Sequence, residues 1–392
     1  MQLSAPLPGL APDEARHSER LVARIREEIE SRSGWISFAR FMEMALYEPG
    51  LGYYSAGAAK FGAAGDFITA PEISPLFGRC LAHQCAQVLR ALGGGTVLEF
   101  GAGSGALAVE VLNELEGLDC LPQRYLIVEV SADLRERQLA ALAAGAARHL
   151  KRVEWLDALP EAFTGAIIAN EVLDAMPVER FRVRGNEVNA LGVTWQLNRL
   201  DWSETRATGT LLDEIRALEG ELQSPLPEGF TSEISLRVGP WVKTLANALR
   251  AGVMLFIDYG LPRRQYYRPE RAAGTLLCHF RHRYHDDPFF AVGLQDIGAW
   301  VDFTAVAAAG VDAGLEVAGF TTQAHFLMGL GIDRLLAETA ERELVERLSV
   351  ARGAMLLTLP GEMGERFKVL GLARGLDTAL DGFALRDLAA TL

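Results

Sequence analysis

Val97-Leu98-Glu99-Phe100-Gly101-Ala102-Gly103-Ser104-Gly105-Ala106-Leu107-Ala108 is the stretch on which the reading of this 392-residue chain turns. It begins apolar, as a buried strand does, passes an acidic residue into three glycines at alternate positions, and continues with Leu107, Ala108, Val111 and Leu112 at helical spacing. The pattern predicts a strand, a tight turn and a helix N-terminus. Glycine is needed in such a turn because the backbone angles are unusual and because a ligand reaches the main chain only where no Cβ intervenes. The helix start adds free N–H groups and partial positive charge.

Two cofactor classes use this turn. Gly101, Gly103 and Ala106 satisfy the G-x-G-x-x-G/A pattern of a dinucleotide site, so glycines alone leave a nicotinamide enzyme open. Glu99, two residues before the first glycine, and Gly105 favour the other class. The resulting E-x-G-x-G-x-G resembles the first motif of class I S-adenosylmethionine (SAM) methyltransferases. That resemblance implies that Glu99 sits near the amino-acid end of the cofactor and that Gly101, Gly103 and Gly105 face it.

Downstream, the chain alternates as an open α/β sheet does. Tyr125–Val130 reads as a second strand ending at Glu129, a carboxylate placed to accept ribose hydroxyls in either class. Val153–Asp157 reads as a third, and the methyltransferase fold implies adenine contacts at its end, with Trp155 and Asp157 as candidates. Gly165–Ala169 is a fourth, buried strand that runs directly into Asn170, Glu171 and Asp174. Open sheets place their active sites at this carboxyl end. Carboxylates there suit an arginine guanidinium, whose planar donors pair with them bidentately and whose charge must be localised before nitrogen attacks a methyl. Glu179 is a further candidate around such a cation. The structural alternative is a capping role for Asp174 and a solvated Glu171.

Upstream, two helices are expected, one from near Asp13 with Leu21, Val22, Ile25 and Ile29 on one face, and one capped by Ser37. The loop Phe61–Pro75 is rich in small residues and prolines and reads as a lid, with Thr69, Pro71, Glu72 and Ser74 against the cofactor. A connector with a helix capped by Ser74 fits the same pattern. Past Pro177, strands over Phe181–Val183 and Val188–Val193 flank the turn Arg184-Gly185-Asn186. Glu233 is read as pointing into a cleft or as a helix-start carboxylate. Gly252–Gly260 is a fifth strand whose Asp258 and Tyr259 stand beside Asn170 and Glu171 if the two strands are neighbours. Residues 311–328 are expected to supply strands six and seven, with Gln323 and His325 on the last.

Asn170-Glu171-Val172-Leu173-Asp174-Ala175-Met176-Pro177-Val178-Glu179-Arg180-Phe181 resembles the signature after the fourth strand of the MidA family of SAM-dependent methyltransferases. Similar matches occur at F-M-E-M-A-L-Y-E-P-G-L-G-Y-Y, G-D-F-I-T-A-P-E-I-S-P-L-F-G, L-F-I-D-Y-G, Trp300–Phe303 and Met363–Val369, spanning most of the chain. The resemblance implies a Rossmann-like α/β fold with a seven-stranded mixed sheet. It also implies SAM as cofactor with S-adenosylhomocysteine as product, and a protein substrate, since mitochondrial members resemble protein arginine methyltransferases and act in assembling respiratory complex I. The expected organisation is a helical cap and lid over residues 1–80, a core over 81–335 with an insertion at about 178–238, and a helical tail over 336–392.

Composition narrows the partners. A net charge of −13 without a run of basic residues disfavours nucleic acid, and 49% hydrophobic residues provide ample core. The four cysteines lack a C-x-x-C pair, and the spacing of His279, His282 and His285 fits no standard ligand set, so no metal is expected. No apolar run reaches membrane-spanning length and the N-terminus has no targeting pattern, so a cytoplasmic location is the default expectation. A respiratory-complex subunit and a second copy of the chain are the candidate protein partners. A SAM-binding assembly factor without activity, or a nicotinamide oxidoreductase, are the alternative functions.

Overall fold

Thr96–Phe100 forms the predicted strand, β1, and all five of its residues are buried. A strand buried on both faces belongs inside a sheet covered by helices. The computed structural model describes residues 7–56, 69–341 and 343–392. The chain folds as two compact units, one of 1–67, 174–238 and 263–300, the other of 68–173, 239–262 and 301–392.

β1 lies in the second unit, together with β2 (Arg124–Val128), β3 (Val153–Leu156), β4 (Phe163–Asn170), β5 (Leu249–Leu261), β6 (Glu316–Thr322) and β7 (Phe367–Arg374). Their order is 3-2-1-4-5-7-6, and a short strand, Val301–Asp302, also pairs with β5. All neighbours are parallel except β7, which is antiparallel to β5 and to β6. This is the seven-stranded mixed α/β sheet that the sequence implies. Phe100 lies opposite both Val128 and Ala169, so the carboxyl ends of β1, β2 and β4 are level. The chain leaves β1 for β2 on one side while β4 flanks the other, which makes the β1/β4 boundary the topological switch point where open sheets bind ligands. Helices α1 (Pro75–Ala91), α2 (Ala106–Gly117), α3 (Ala132–Gly145), α4 (Val238–Ala248), α5 (Phe303–Asp312), α6 (Gln323–Gly329) and α7 (Leu344–Thr358) are the longer helices of this part of the chain.

Strand seven departs from expectation. Thr322 Oγ1 accepts a hydrogen bond from the His325 N–H at 3.4 Å and starts α6, so Gln323 and His325 are helical and only β6 falls within 311–328. Phe367–Arg374, apolar but for Lys368 and Arg374, fills the slot between β5 and β6 instead and is buried through Ala373. Long-range pairing decides this, and a local pattern does not encode it.

In the first unit, Pro12–Ser31 buries Leu21, Ile25 and Ile29, and Ser37 Oγ caps Phe38–Tyr47 by accepting from the Arg40 N–H at 3.3 Å. The predicted hairpin is present, with Arg184 opposite Glu187 around Gly185-Asn186. Glu233 corrects its reading. It lies on the strand Thr231–Ile234, buried, and accepts from Arg180 Nε at 3.1 Å and from the Thr275 N–H at 2.7 Å. Cys278–Phe280 and Arg283–His285 are antiparallel neighbours and carry His279 and His285. Among the described residues, no group of three or more His, Cys, Asp or Glu could hold a metal, and no helix is long and apolar enough to cross a membrane.

Arg374, the last residue of β7, ties the sheet to two helix ends. Its guanidinium donates to the carbonyls of Ala246 (2.5 Å) and Leu249 (2.9 Å) and to that of Ala313 (2.6 Å), at the ends of α4 and α5. Arg374→Met keeps the aliphatic stem but removes every donor. It is expected to cost about 3 kcal/mol, read as a lower urea midpoint with an unchanged m-value. An unchanged midpoint would show that water replaces the arginine.

Candidate active site

The turn after β1 has the backbone its glycines predict. Gly101, Gly103 and Gly105 have φ of 60°, 54° and 86°, values that disfavour side chains. At Gly105 a Cβ would also lie 3.0 Å from Gln138 Cα, so α3 packs directly on the turn. Gly105 is the N-cap of α2 and has no side chain to cap it, which leaves the first-turn N–H groups to a ligand.

Two carboxylates back this turn. Glu99 is buried, and its Oε2 accepts the phenol of Tyr125 at 2.6 Å. Burial raises its pKa to about 7, against the lowering effect of that one neutral donor. Glu129 follows β2 directly and is also buried. Its Oε1 accepts from the Ser131 N–H at 2.9 Å and its Oε2 from Gln138 Nε2 at 3.1 Å. Burial raises this pKa as well, against both donors. Gln138 Nε2 also donates to the Gly103 carbonyl at 3.2 Å, and its Oε1 accepts from Trp155 Nε1 at 2.8 Å. Glu129, Gly103 and Trp155, three residues expected from sequence, are therefore brought together through a fourth that was not. The signal for Gln138 is a lone amide on the inward face formed by Leu134 and Leu142 at i, i+4, i+8 spacing. Asp157, by contrast, is exposed and held at 2.6 Å by Arg135, whose guanidinium also binds the carbonyls of Glu129 and Leu156.

At the end of β4, Asn170 lies opposite Ile257 of β5, so the expected neighbours do meet. Glu171 has φ of 53°, a left-handed conformation costing on the order of 1 kcal/mol for a residue with a Cβ. The Ile257 carbonyl holds its N–H at 2.9 Å. Its Oε1 accepts from Asn170 Nδ2 at 3.2 Å and from the Ala70 N–H at 3.3 Å. Asn170 Oδ1 is buried and has no hydrogen-bond partner among the described residues. Asp258 fixes the bend from behind: buried at the end of β5, it accepts from the N–H groups of Leu173 (3.0 Å) and Tyr259 (2.9 Å).

Residues 61–68 of the expected lid lie outside the described residues. The remainder forms the helix turn Ala70–Ile73, whose Thr69 N–H reaches Glu72 at 3.4 Å, with Pro71 in the turn and Ser74 capping α1 through the Leu76 N–H at 3.3 Å. Asp174 and Glu179 belong to the first unit. Asp174 is buried, and Glu179 accepts from Ser37 Oγ at 3.1 Å.

The donor set fits an adenosyl amino acid. A carboxylate offers about four lone pairs, and each oxygen of Glu129 uses one internally, which leaves capacity for ribose hydroxyls. An uncapped helix start, a turn without Cβ atoms and the orphaned Asn170 Oδ1 add sites for its polar end.

Comparison with known proteins agrees with this geometry. A family of S-adenosyl-L-methionine-dependent methyltransferases matches residues 80–321. The protein arginine methyltransferase NDUFAF7 homolog, mitochondrial, of Drosophila melanogaster is 28% identical over 385 residues, covering 91% of this chain and 85% of that one. The Danio rerio protein arginine methyltransferase NDUFAF7, mitochondrial, is 29% identical over 383 residues, covering 87% and 85%. A crystallised superfamily member from Burkholderia thailandensis, described as a candidate methyl transferase and bound to S-adenosyl-homocysteine, shares 44% identity. Its TM-score is 0.94, covering 99% of this chain and 100% of that one. The nicotinamide alternative falls with these matches. With its sheet, its glycine turn and its residues 80–321 all in agreement, the chain belongs to the S-adenosyl-L-methionine-dependent methyltransferases, as the MidA resemblance implies, and its cofactor is S-adenosylmethionine.

Proposed function

We propose that the chain methylates a guanidinium nitrogen of an arginine in a protein substrate, with Asn170 and Glu171 holding the acceptor. The observation that carries this reading is the end of β4, where a strained carboxylate stands beside an amide oxygen that no group among the described residues satisfies. Both are acceptors, as a guanidinium requires. The names of the arginine methyltransferase relatives support the same acceptor, and the MidA resemblance suggests a respiratory-complex subunit as the protein that carries it.

Bound S-adenosylmethionine supplies an electrophilic methyl on its sulfonium. The chain's own part is positional. Glu129 takes the ribose, Trp155 and Asp157 flank the base, and Gly101, Gly103 and Gly105 admit the cofactor against the backbone. Glu99 faces its ammonium end, with Thr69, Pro71, Glu72 and Ser74 along the lid side. The Glu171 carboxylate localises the guanidinium charge and leaves one nitrogen lone pair for attack.

Tritium from methyl-labelled S-adenosylmethionine, transferred by the chain into proteins of a cell extract, is expected in methylarginine. Label elsewhere, or none, would overturn the acceptor assignment. Glu171→Gln is expected to cut transfer about 100-fold, or about 3 kcal/mol of transition-state stabilisation, with S-adenosylhomocysteine affinity changed less than about threefold. A matching loss of affinity would instead make Glu171 a cofactor ligand.

Glu99 gives a pH dependence. Its folded pKa of about 7 lies above the ordinary 4.5. Between these values the folded chain holds a proton that the unfolded chain releases, so stability without cofactor falls as pH rises through that window, by at most about 3 kcal/mol. Cofactor affinity runs the other way, because ionised Glu99 attracts the ammonium. From pH 5.5 to 7, S-adenosylhomocysteine binding by calorimetry is expected to tighten in the native chain and to stay level in Glu99→Gln. Parallel profiles would remove Glu99 from the cofactor site.

A further inference from the structure

We infer that Gln138 is a positioning residue for the nucleoside half of the cofactor, the single group that sets Glu129, the glycine turn and Trp155 relative to one another. Its side chain is fully buried on α3. Nε2 donates to Glu129 Oε2 at 3.1 Å and to the Gly103 carbonyl at 3.2 Å, while Oε1 accepts from Trp155 Nε1 at 2.8 Å. The ends of β1, β2 and β3 are thereby joined through one amide.

Chemistry fixes which way this amide points. The indole N–H of Trp155 can only donate, so the atom facing it must be the carbonyl oxygen; a carboxylate and a backbone carbonyl can only accept, so the atom facing them must be the nitrogen. No flipped arrangement satisfies all three partners. Glu129 is then clamped at both oxygens, by the Ser131 N–H on one and Gln138 on the other, with its remaining lone pairs held in place. The same residue's backbone lies where a Cβ on Gly105 would intrude, at 3.0 Å. α3 therefore positions the turn by contact and the carboxylate by hydrogen bond. A clamped acceptor binds a ribose without first losing its own rotameric freedom, the usual gain from preorganisation.

The inference rests on Glu129 as the ribose ligand, and the test separates the two. Calorimetric affinities for S-adenosylhomocysteine and its 2′-deoxyribose analogue are measured on the full chain for native, Gln138→Leu, Glu129→Gln and the double variant. Thermal melts confirm that each variant is folded. Gln138→Leu is expected to weaken S-adenosylhomocysteine binding 10- to 100-fold and to shrink the preference over the 2′-deoxy analogue. In the Glu129→Gln background the same change is expected to cost several-fold less than in the native one, because the carboxylate no longer has to be positioned and only the turn and Trp155 do. A lower melting temperature with unchanged affinity, or equal fold-losses in both backgrounds, would overturn the positioning role and leave Gln138 structural. Unchanged affinity in Glu129→Gln alone would overturn the ribose assignment itself. Should Gln138→Leu not fold, Gln138→Glu serves in its place. Its carboxylate faces Glu129 and the Gly103 carbonyl, so its affinity relative to the native chain is expected to fall as pH rises from 5.5 to 8; a profile parallel to the native one would contradict the clamp.

Discussion

Parallel pairing of β1 with β4 is the constraint on which the site depends. Phe100 opposite Ala169 brings the glycine turn and the Asn170-Glu171 bend to one edge, although some seventy residues separate them in sequence. Burial sets this register. β1 has no exposed residue, and a one-residue slip would exchange the two faces of every side chain, sending the partner-bound Glu99 away from Tyr125. β5 extends the same edge on the far side of β4, and Asp258 at its end supplies the acceptor that holds the bend after Glu171.

Three carboxylates are buried along this edge, and burying each costs several kcal/mol unless donors replace its water. The replacement is uneven. Asp258 accepts from the N–H groups of Leu173 and Tyr259, and Glu129 from the N–H groups of Ser131 and Val130 and from the Gln138 amide. Glu99 receives the neutral phenol of Tyr125 and is pushed to about 7 by burial, which leaves it poised to change charge when a cation arrives. Backbone strain falls where chemistry is proposed: Glu171 takes a left-handed conformation, whereas Ala166, Ile167, Ile168 and Ala169 of β4 leading to it are buried strand residues with negative φ.

The sequence made this edge largely legible because its pieces are local. A strand, three alternate glycines and a helix are contiguous in the chain, and so are Ile167-Ile168-Ala169 and Asn170-Glu171. Ser37 reads as a cap, and the capping alternative to Ser74's lid role is present in the structure, for the same reason, since capping is settled within three residues. What escaped was non-local. β7 enters the sheet between β5 and β6 from far along the chain, and no window of sequence announces an antiparallel insertion. Gln138 reads as an ordinary helix residue until β3 brings Trp155 against it, and Glu233 became a strand carboxylate only through Arg180 and Thr275. The division of the chain into units likewise separates Leu173 from Asp174, a boundary that falls inside one continuous motif.

The central claim is that an adenosyl cofactor sits at the β1/β4 edge with its ribose on Glu129. A crystal structure of the chain grown with S-adenosylhomocysteine tests it most directly. The account predicts both ribose hydroxyls within hydrogen-bond distance of the Glu129 carboxylate, the cofactor backbone against Gly101–Gly105, and a polar atom of the ligand on Asn170 Oδ1. Density for the nucleoside elsewhere, with Glu129 still bound only to its protein donors, would contradict it.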